Sequence, residues 1–281
     1  MKIIRKIKEQ QKYSSHMKNS DKKIGFVPTM GFLHEGHLSV INKAKEISDK
    51  IVVSIFVNPT QFGKGEDLDK YPRDEKRDQE LLAEKEVDIV FIPDEKEMYP
   101  EEFLTFCQVH ELSKQHCGKS RPGHFKGVTT VVLKLFNIIQ PDIAIFGEKD
   151  YQQYVIIKKM TEDLNLPINI IASPIVREKD GLAMSSRNKY LNNEQRKEAT
   201  VLYEALTLAK NLIKEGNHEV SLLLREMSNL IKLKKTARID YINFTNPETL
   251  RNVQKIEKPT RILMAVWIGN TRLIDNMEVK P

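Results

Sequence analysis

Cysteine is scarce. Cys107 and Cys117 are the only two in 281 residues, and they stand ten positions apart. They form no CxxC pair, so neither a disulfide framework nor a cysteine-ligated zinc centre is suggested, and a reducing compartment is expected. No apolar run approaches the roughly 20 residues that span a bilayer. Met1 to Gln11 is basic and polar and lacks the apolar core of a secretory signal. The expectation is a cytoplasmic protein with no membrane partner. Aromatic residues are few (7%), and none interleaves with the densest basic cluster, Lys232, Lys234, Lys235 and Arg238. That cluster therefore reads as an exposed helix end, and no nucleic-acid partner is expected. Internal repeats and low-complexity tracts are also lacking.

What is present is a globular composition, 40% hydrophobic and 30% charged. A chain of this length buries about three quarters of its unfolded surface and needs no covalent staples. The net charge of +6 is modest. It suits either an anionic ligand such as a nucleotide or a plain solvated surface.

Short β-rich runs alternate with helical patterns through the first half. Strands are expected at 24–28, 51–57, 88–93, 142–146 and 168–176, and helices at 36–48, 73–85, 126–139 and 151–164. Near-continuous apolar strands separated by helices predict a parallel sheet covered on both faces, the doubly wound α/β class. Ligands of such sheets bind beyond the carboxyl ends of the strands. The pattern changes near Arg177, where a polar loop precedes a long helix at 193–214 and a second at 219–232. Strands follow at 238–244, 261–269 and 271–276, the last two joined by a Gly269-Asn270 turn. Two domains are expected: residues 1–176, and a smaller α+β domain of residues 177–281.

The unusual segments sit at strand ends. The stretch PTMGFLHEGH leaves the first of these strands and opens a helix. Its glycines let the backbone approach a ligand closely, and the helix start presents N–H groups and a partial positive charge to an anion. His34 and His37, three apart, lie on one side of that helix and can donate to a phosphate whose charge grows during reaction. A metal pair is the weaker alternative, since no third ligand cluster is found. In FVNPTQF, Asn58 and Gln61 are neutral amides among apolar groups, suited to a small hydroxylated substrate or to a simple Asn-Pro turn. Gly147-Glu148-Lys149-Asp150, followed by Gln153, offers a cation for phosphate, or merely a helix start. Met184-Ser185-Ser186-Arg187 offers two hydroxyls and a guanidinium to a triphosphate, or is a linker. Arg121 to Phe125, RPGHF, adds another cation or a flexible connection.

In combination and in this order, PTMGFLHEGH, SIFVNPTQF, YPRD, RPGHFKGV, PDIAIFGEKDYQQ, VREKDGLAMSSRN and TRLIDN resemble the pantothenate synthetase (pantoate–β-alanine ligase) family. The matching stretches run from residue 28 to 276. HxGH alone is shared with the wider nucleotidyltransferase and class I aminoacyl-tRNA synthetase group, so the resemblance implies a Rossmann-like fold of that type with a C-terminal lid. It implies ATP-dependent condensation of (R)-pantoate with β-alanine to pantothenate, through a pantoyl adenylate, with release of AMP and pyrophosphate. It implies Mg²⁺ carried mainly on the ATP phosphates, and a homodimer.

Residue by residue, the resemblance places Met30, Gly31, Phe32, Leu33, His34, Glu35, Gly36 and His37 at ATP, with His37 the proton donor. It adds Gly147, Glu148, Lys149, Asp150, Val176, Met184, Ser185, Ser186 and Arg187 to that site. Gln61 and Gln153 would bind pantoate, Gln61 would also touch β-alanine, and Asn58 joins them by its position. A nucleotidyltransferase acting on a phosphorylated substrate would share HxGH but would not call for FVNPTQF with Gln153. An RNA-binding synthetase fragment would need a basic face that is not found. A non-enzymatic protein would leave the strand-end loops unexplained.

Overall fold

The computed structural model describes residues 1–281, which form two compact units. The first comprises residues 1–113, 121–148 and 153–174. The second comprises residues 114–120, 149–152 and 175–281. A single cut at 176/177 does not describe this division, because two short segments far from the C-terminal region in sequence cluster with it.

The first unit is built on six parallel strands: β1 (Lys2–Ile4), β2 (Ile24–Thr29), β3 (Lys50–Ile55), β4 (Ile89–Phe91), β5 (Ile143–Gly147) and β6 (Asn169–Ser173). Their order across the sheet is β1-β4-β3-β2-β5-β6. The helices are α1 (Ile7–Asn19), α2 (Glu35–Ile47), α3 (Glu75–Glu84), the one-turn α4 (Glu95–Met98), then, after the one-turn α5 (Cys117–Ser120) of the second unit, α6 (His124–Ile139) and α7 (Tyr151–Asp163). The first two residues of α7 group with the second unit. Strands buried on both faces explain the apolar runs: Val52, Val53, Val90, Phe91, Ala144 and Ile145 are each at most 1% exposed.

After β2 the chain steps through β3 to β4 on one side, then crosses to β5 and β6 on the other. The order reverses between β2 and β5, and the crevice at such a switch point is where doubly wound sheets bind ligands. Gly25 pairs with Ile143 and Phe26 with Ala144, so the residues that follow β2 and β5 emerge side by side.

Three elements of this unit went unread in the sequence, β1, α1 and the one-turn α4. The strand is only three residues long and its partner β4 lies far along the chain. Helix α1 is polar, and its buried positions are Gln10 and Ser14, bonded to each other at 3.2 Å. Apolar periodicity cannot report a helix that buries polar groups.

The second unit pairs α8 (Asn193–Glu198), α9 (Val201–Lys214) and α10 (Val220–Lys232) with an antiparallel sheet ordered β7 (Ala237–Thr245), β8 (Thr260–Ile268), β9 (Thr271–Val279). The core joins one face of α9 and of α10 (Leu202, Leu206, Leu223, Met227) to the sheet (Phe244, Ile262, Met264, Val266). A two-residue turn, Gly269-Asn270, links β8 and β9 as the sequence indicated, with Gly269 at φ 56°. The long helix expected at 193–214 is two helices. Ala199 and Thr200 keep right-handed φ/ψ, but Thr200 Oγ1 donates to the carbonyl of Lys197 and so competes with the helix's own ladder.

Candidate active site

In the first unit the turn after β2 is defined by its backbone. Gly31 and Phe32 both have positive φ, 81° and 53°. For phenylalanine this conformation is strained and must be held by its surroundings. It is held by two adjacent residues of α3. Asp78, 1% exposed, accepts from the main-chain N–H of Phe32 at 2.6 Å and of Leu33 at 2.7 Å. Arg77 Nη1 donates to the carbonyl of Leu33 at 2.9 Å, and the Arg77 guanidinium sits 5.6 Å from the centre of the Phe32 ring. Burial pushes the Asp78 carboxyl up, and the two N–H bonds and the Arg77 charge pull against that shift without cancelling it.

This clamp went unread in the sequence. Asp78 looks like any other acid in a polar helix, and its partners lie 45 and 46 residues away. Thr29 closes the other side of the turn, accepting from Gly31 N–H at 3.2 Å and donating to the carbonyl of Ser54 at 2.7 Å.

The turn delivers the histidines to the start of α2. His34 is the N-cap, and its Nδ1 accepts from Gly36 N–H at 3.2 Å. His37 Nδ1 accepts from His34 N–H at 3.3 Å, which completes a reciprocal capping box. The two rings lie 4.0 Å apart between centres. Both Nδ1 atoms act as acceptors, so each neutral ring carries its proton on Nε2. Gly147 ends β5, beside this turn at the switch point, and Glu148 follows it.

Asn58 and Gln61 form a second cluster. Asn58 is 1% exposed and its side-chain hydrogen-bonding capacity is filled. Its Nδ2 donates to Gln61 Oε1 and to the Gly127 carbonyl, and its Oδ1 accepts from Thr60 Oγ1 and the Tyr99 hydroxyl. It therefore orients Gln61, whose Nε2 reaches the Met30 sulfur at 2.9 Å. From behind, the Gln61 carbonyl accepts from His124 Nδ1 at 2.7 Å and Arg121 Nη2 at 3.3 Å. Arg121 is also paired through two nitrogens with Glu66, at 2.7 and 2.5 Å. Burial opposes ionisation of Glu66, yet the Arg121 hydrogen bond and charge together hold its carboxyl below the usual range.

The RPGHF segment is thus neither a spare cation nor a flexible linker. It braces Gln61 and leads into α6 through Gly123 at φ 86°. Gly127 lets α6 approach, because a Cβ there would lie 2.2 Å from the Thr60 carbonyl oxygen. A cleft of about 230 Å³ opens behind this brace, lined in part by Thr60, Phe62, His124 and Lys126. Gln153 is half-buried in the first turn of α7.

In the second unit, Val176 and Met184 are the ends of a tight hairpin, with Met184 N–H donating to the Val176 carbonyl at 3.0 Å. Gly181 turns its tip at φ 93°, against the ring of Tyr203. Ser185 caps the short turn Ser186–Tyr190 by accepting from Arg187 N–H at 3.3 Å. Asn188 ties that turn back to Glu178 and to the Ala183 carbonyl. The MSSR segment is therefore a braced structure and not a slack linker. Lys149 and Asp150 belong to a single 3₁₀ turn (Glu148–Asp150). No group of three or more His, Cys, Asp or Glu side chains gathers in a way that could hold a metal ion.

Comparison with known proteins gives a consistent result. A family profile described as pantoate-beta-alanine ligase matches residues 2–278. The pantothenate synthetase of Caldicellulosiruptor saccharolyticus is 54% identical over 280 residues, covering all of both chains. That of Thermotoga petrophila is 50% identical over 276 residues, covering 98% of this chain and 99% of its own. Among solved structures, pantothenate synthetase from Thermus thermophilus superposes with a TM-score of 0.95 at 43% identity, with all of both chains covered. Pantoate-beta-alanine ligase from Francisella tularensis, solved in complex with beta-gamma ATP and beta-alanine, gives 0.84 at 40% identity, covering 99% of this chain and 97% of its own. A profile and relatives that span the chain from end to end leave one assignment: the chain belongs to the pantoate–β-alanine ligase family.

Proposed function

We propose that this ligase joins (R)-pantoate to β-alanine in two steps, the first of which consumes ATP. A pantoate carboxylate oxygen attacks the α-phosphorus, the bond from that phosphorus to the bridging oxygen of the β-phosphate breaks, and pyrophosphate leaves. The β-alanine amine then attacks the acyl carbon of pantoyl adenylate, the bond to AMP breaks, and the amine loses a proton as pantothenate forms.

The observation that carries this reading is the turn after β2, where two imidazoles with Nδ1 occupied by main-chain N–H groups stand at a helix N-terminus. A carboxylate is already ionised near neutral pH, so the first step needs alignment and charge stabilisation rather than a strong base. His34 and His37 donate toward the phosphates, and His37 is the proton donor. Met30 to His37, Gly147, Glu148, Lys149, Asp150, Val176 and Met184 to Arg187 bind ATP. Gln61 and Gln153 hold pantoate, Gln61 also meets β-alanine, and Asn58 acts through Gln61.

The turn offers N–H donors and imidazoles, a set that suits phosphate oxygens better than Mg²⁺, which takes oxygen ligands. Mg²⁺ would therefore ride on the ATP phosphates and neutralise part of their charge. A homodimer in the cytoplasm is the proposed state, and light scattering on the purified chain tests the dimer.

The deciding experiment is ATP–pyrophosphate exchange with Mg²⁺ and (R)-pantoate in the absence of β-alanine. Pantoate-dependent exchange, followed by AMP and pantothenate once β-alanine is added, is the expected result. A folded protein that binds ATP but shows no exchange would overturn the adenylate step.

A further inference from the structure

The family motif TRLIDN ends in two polar residues that the reaction above does not use. Asp275 and Asn276 lie next to each other on β9, an edge strand, yet they are 3% and 2% exposed. Neighbours on a strand face opposite ways. Here each meets a different piece of the nucleotide machinery.

Asp275 takes the fork of Arg177, Nη1 at 2.7 Å and Nη2 at 2.9 Å. Arg177 starts the 176–184 hairpin and donates to the Gly181 carbonyl at its tip at 3.0 Å, and its guanidinium lies 4.5 Å from the centre of the Tyr203 ring. One carboxylate therefore fixes both the base and the tip of the hairpin that leads into Met184-Ser185-Ser186-Arg187.

Asn276 faces the other segment. Its Nδ2 donates to the Lys149 carbonyl at 3.1 Å, and its Oδ1 accepts from Arg261 Nη1 at 3.1 Å. The Arg261 guanidinium in turn sits 3.9 Å from the centre of the ring of Tyr151, one residue past Asp150. The amide donates to a carbonyl and accepts from a guanidinium at the same time. An aspartate in its place would set a carboxylate oxygen against the Lys149 carbonyl.

A buried ion pair and a buried amide are costly ways to stabilise a small sheet, since apolar side chains of similar volume often do as well. We propose that Asp275 and Asn276 are positioning residues that hold the Lys149–Asp150 turn and the 176–187 hairpin loop on one edge strand, fixing the spacing between two segments that bind ATP. The inference rests on the assignment of those segments to ATP.

Asn276→Asp is the sharpest test, because it keeps size and the Arg261 contact while breaking the Lys149 contact. The KM for ATP should rise about tenfold or more and kcat should fall, with the KM for pantoate unchanged. Arg177→Lys, which keeps the charge but loses the fork, should do the same and serves if Asn276→Asp does not fold. A folded Asn276→Asp enzyme with ATP KM and kcat within about twofold of the parent, or one that loses only thermal stability, overturns the proposal. Lys149→Ala separates the two failures. If it raises the ATP KM while Asn276→Asp does not, the tether alone falls; if it also leaves that KM unchanged, the ATP assignment of the turn falls with it.

Discussion

In the first unit the turn after β2 is held by a carboxylate that accepts directly from main-chain N–H groups. In the second unit the hairpin after residue 176 is held by a carboxylate that grips a guanidinium, which then reaches the main chain. Both carboxylates are buried, and burial pushes both up. The difference lies in what they hold. Asp78 fixes the φ/ψ of a strained turn at a sheet switch point, where the parallel topology already sets the position. Asp275 fixes the location of a hairpin that no sheet register determines. A strand end needs only its local geometry locked, whereas a loop away from the sheet needs a long side chain to reach it.

This comparison can be broken experimentally. The largest effect is expected at the brace behind Gln61. Gly127→Ala would drive a Cβ to 2.2 Å from one backbone atom and 2.4 Å from another. Neither can yield without moving residues 59–61. A loss of roughly 3 kcal/mol is expected, at the upper end for overpacking, together with a weakened pantoate KM; thermal melts and steady-state kinetics report both.

Next comes His37→Ala, which sits at a loop–helix junction and should leave the fold intact. It should slow pantoate-dependent exchange by ~10²-fold or more, the scale of losing one charge-stabilising donor. A folded mutant with near-normal turnover would remove His37 from the mechanism.

Asp78→Asn should cost about 1–3 kcal/mol by leaving a buried N–H without an acceptor. If the two units are held separately, amide exchange should quicken in the 30–37 turn and stay unchanged in β7 to β9. Faster exchange in both would erase the distinction drawn above.

The smallest effect concerns pH and lies in the second unit. Burial holds the His116 ring below its usual pKa, against the pull of the Leu250 carbonyl. Its Nε2 donates to that carbonyl at 2.8 Å, its Nδ1 accepts from Asn243 Nδ2 at 2.9 Å, and the ring of Tyr241 lies 6.0 Å away between centres. Below about pH 6.5 the unfolded chain takes up a proton that the folded ring refuses. Stability from His116 is therefore present above that pH and is lost as pH falls through the lower folded value. His116→Gln should flatten the dependence of Tm on pH between about 5 and 7. An unchanged slope would assign it to other groups.

Much of the fold was legible because burial on both faces writes itself as apolar runs, as in IVVSI and IAIF. The histidine turn was legible because glycine and imidazole at a strand end have few other uses. Asp78, Arg77, Asn276 and Arg261 were not, because a buried polar residue looks like a surface one until its partner is known. RPGHF shows the same limit. The segment reads as another cation or a flexible connection, yet its arginine and histidine serve the Gln61 backbone.

The sequence by itself determined the layered α/β class, the strand-end position of HxGH and the family, since these follow from local periodicity and from motifs in fixed order. Only the tertiary structure decided which polar side chains meet. The α3 clamp on Phe32 and Leu33, the brace around Gln61 and the β9 dipeptide that reaches Lys149 and Arg177 join residues distant in the chain. A hydrogen bond has no periodicity to leave in a sequence, and its strength depends on the burial that folding alone provides.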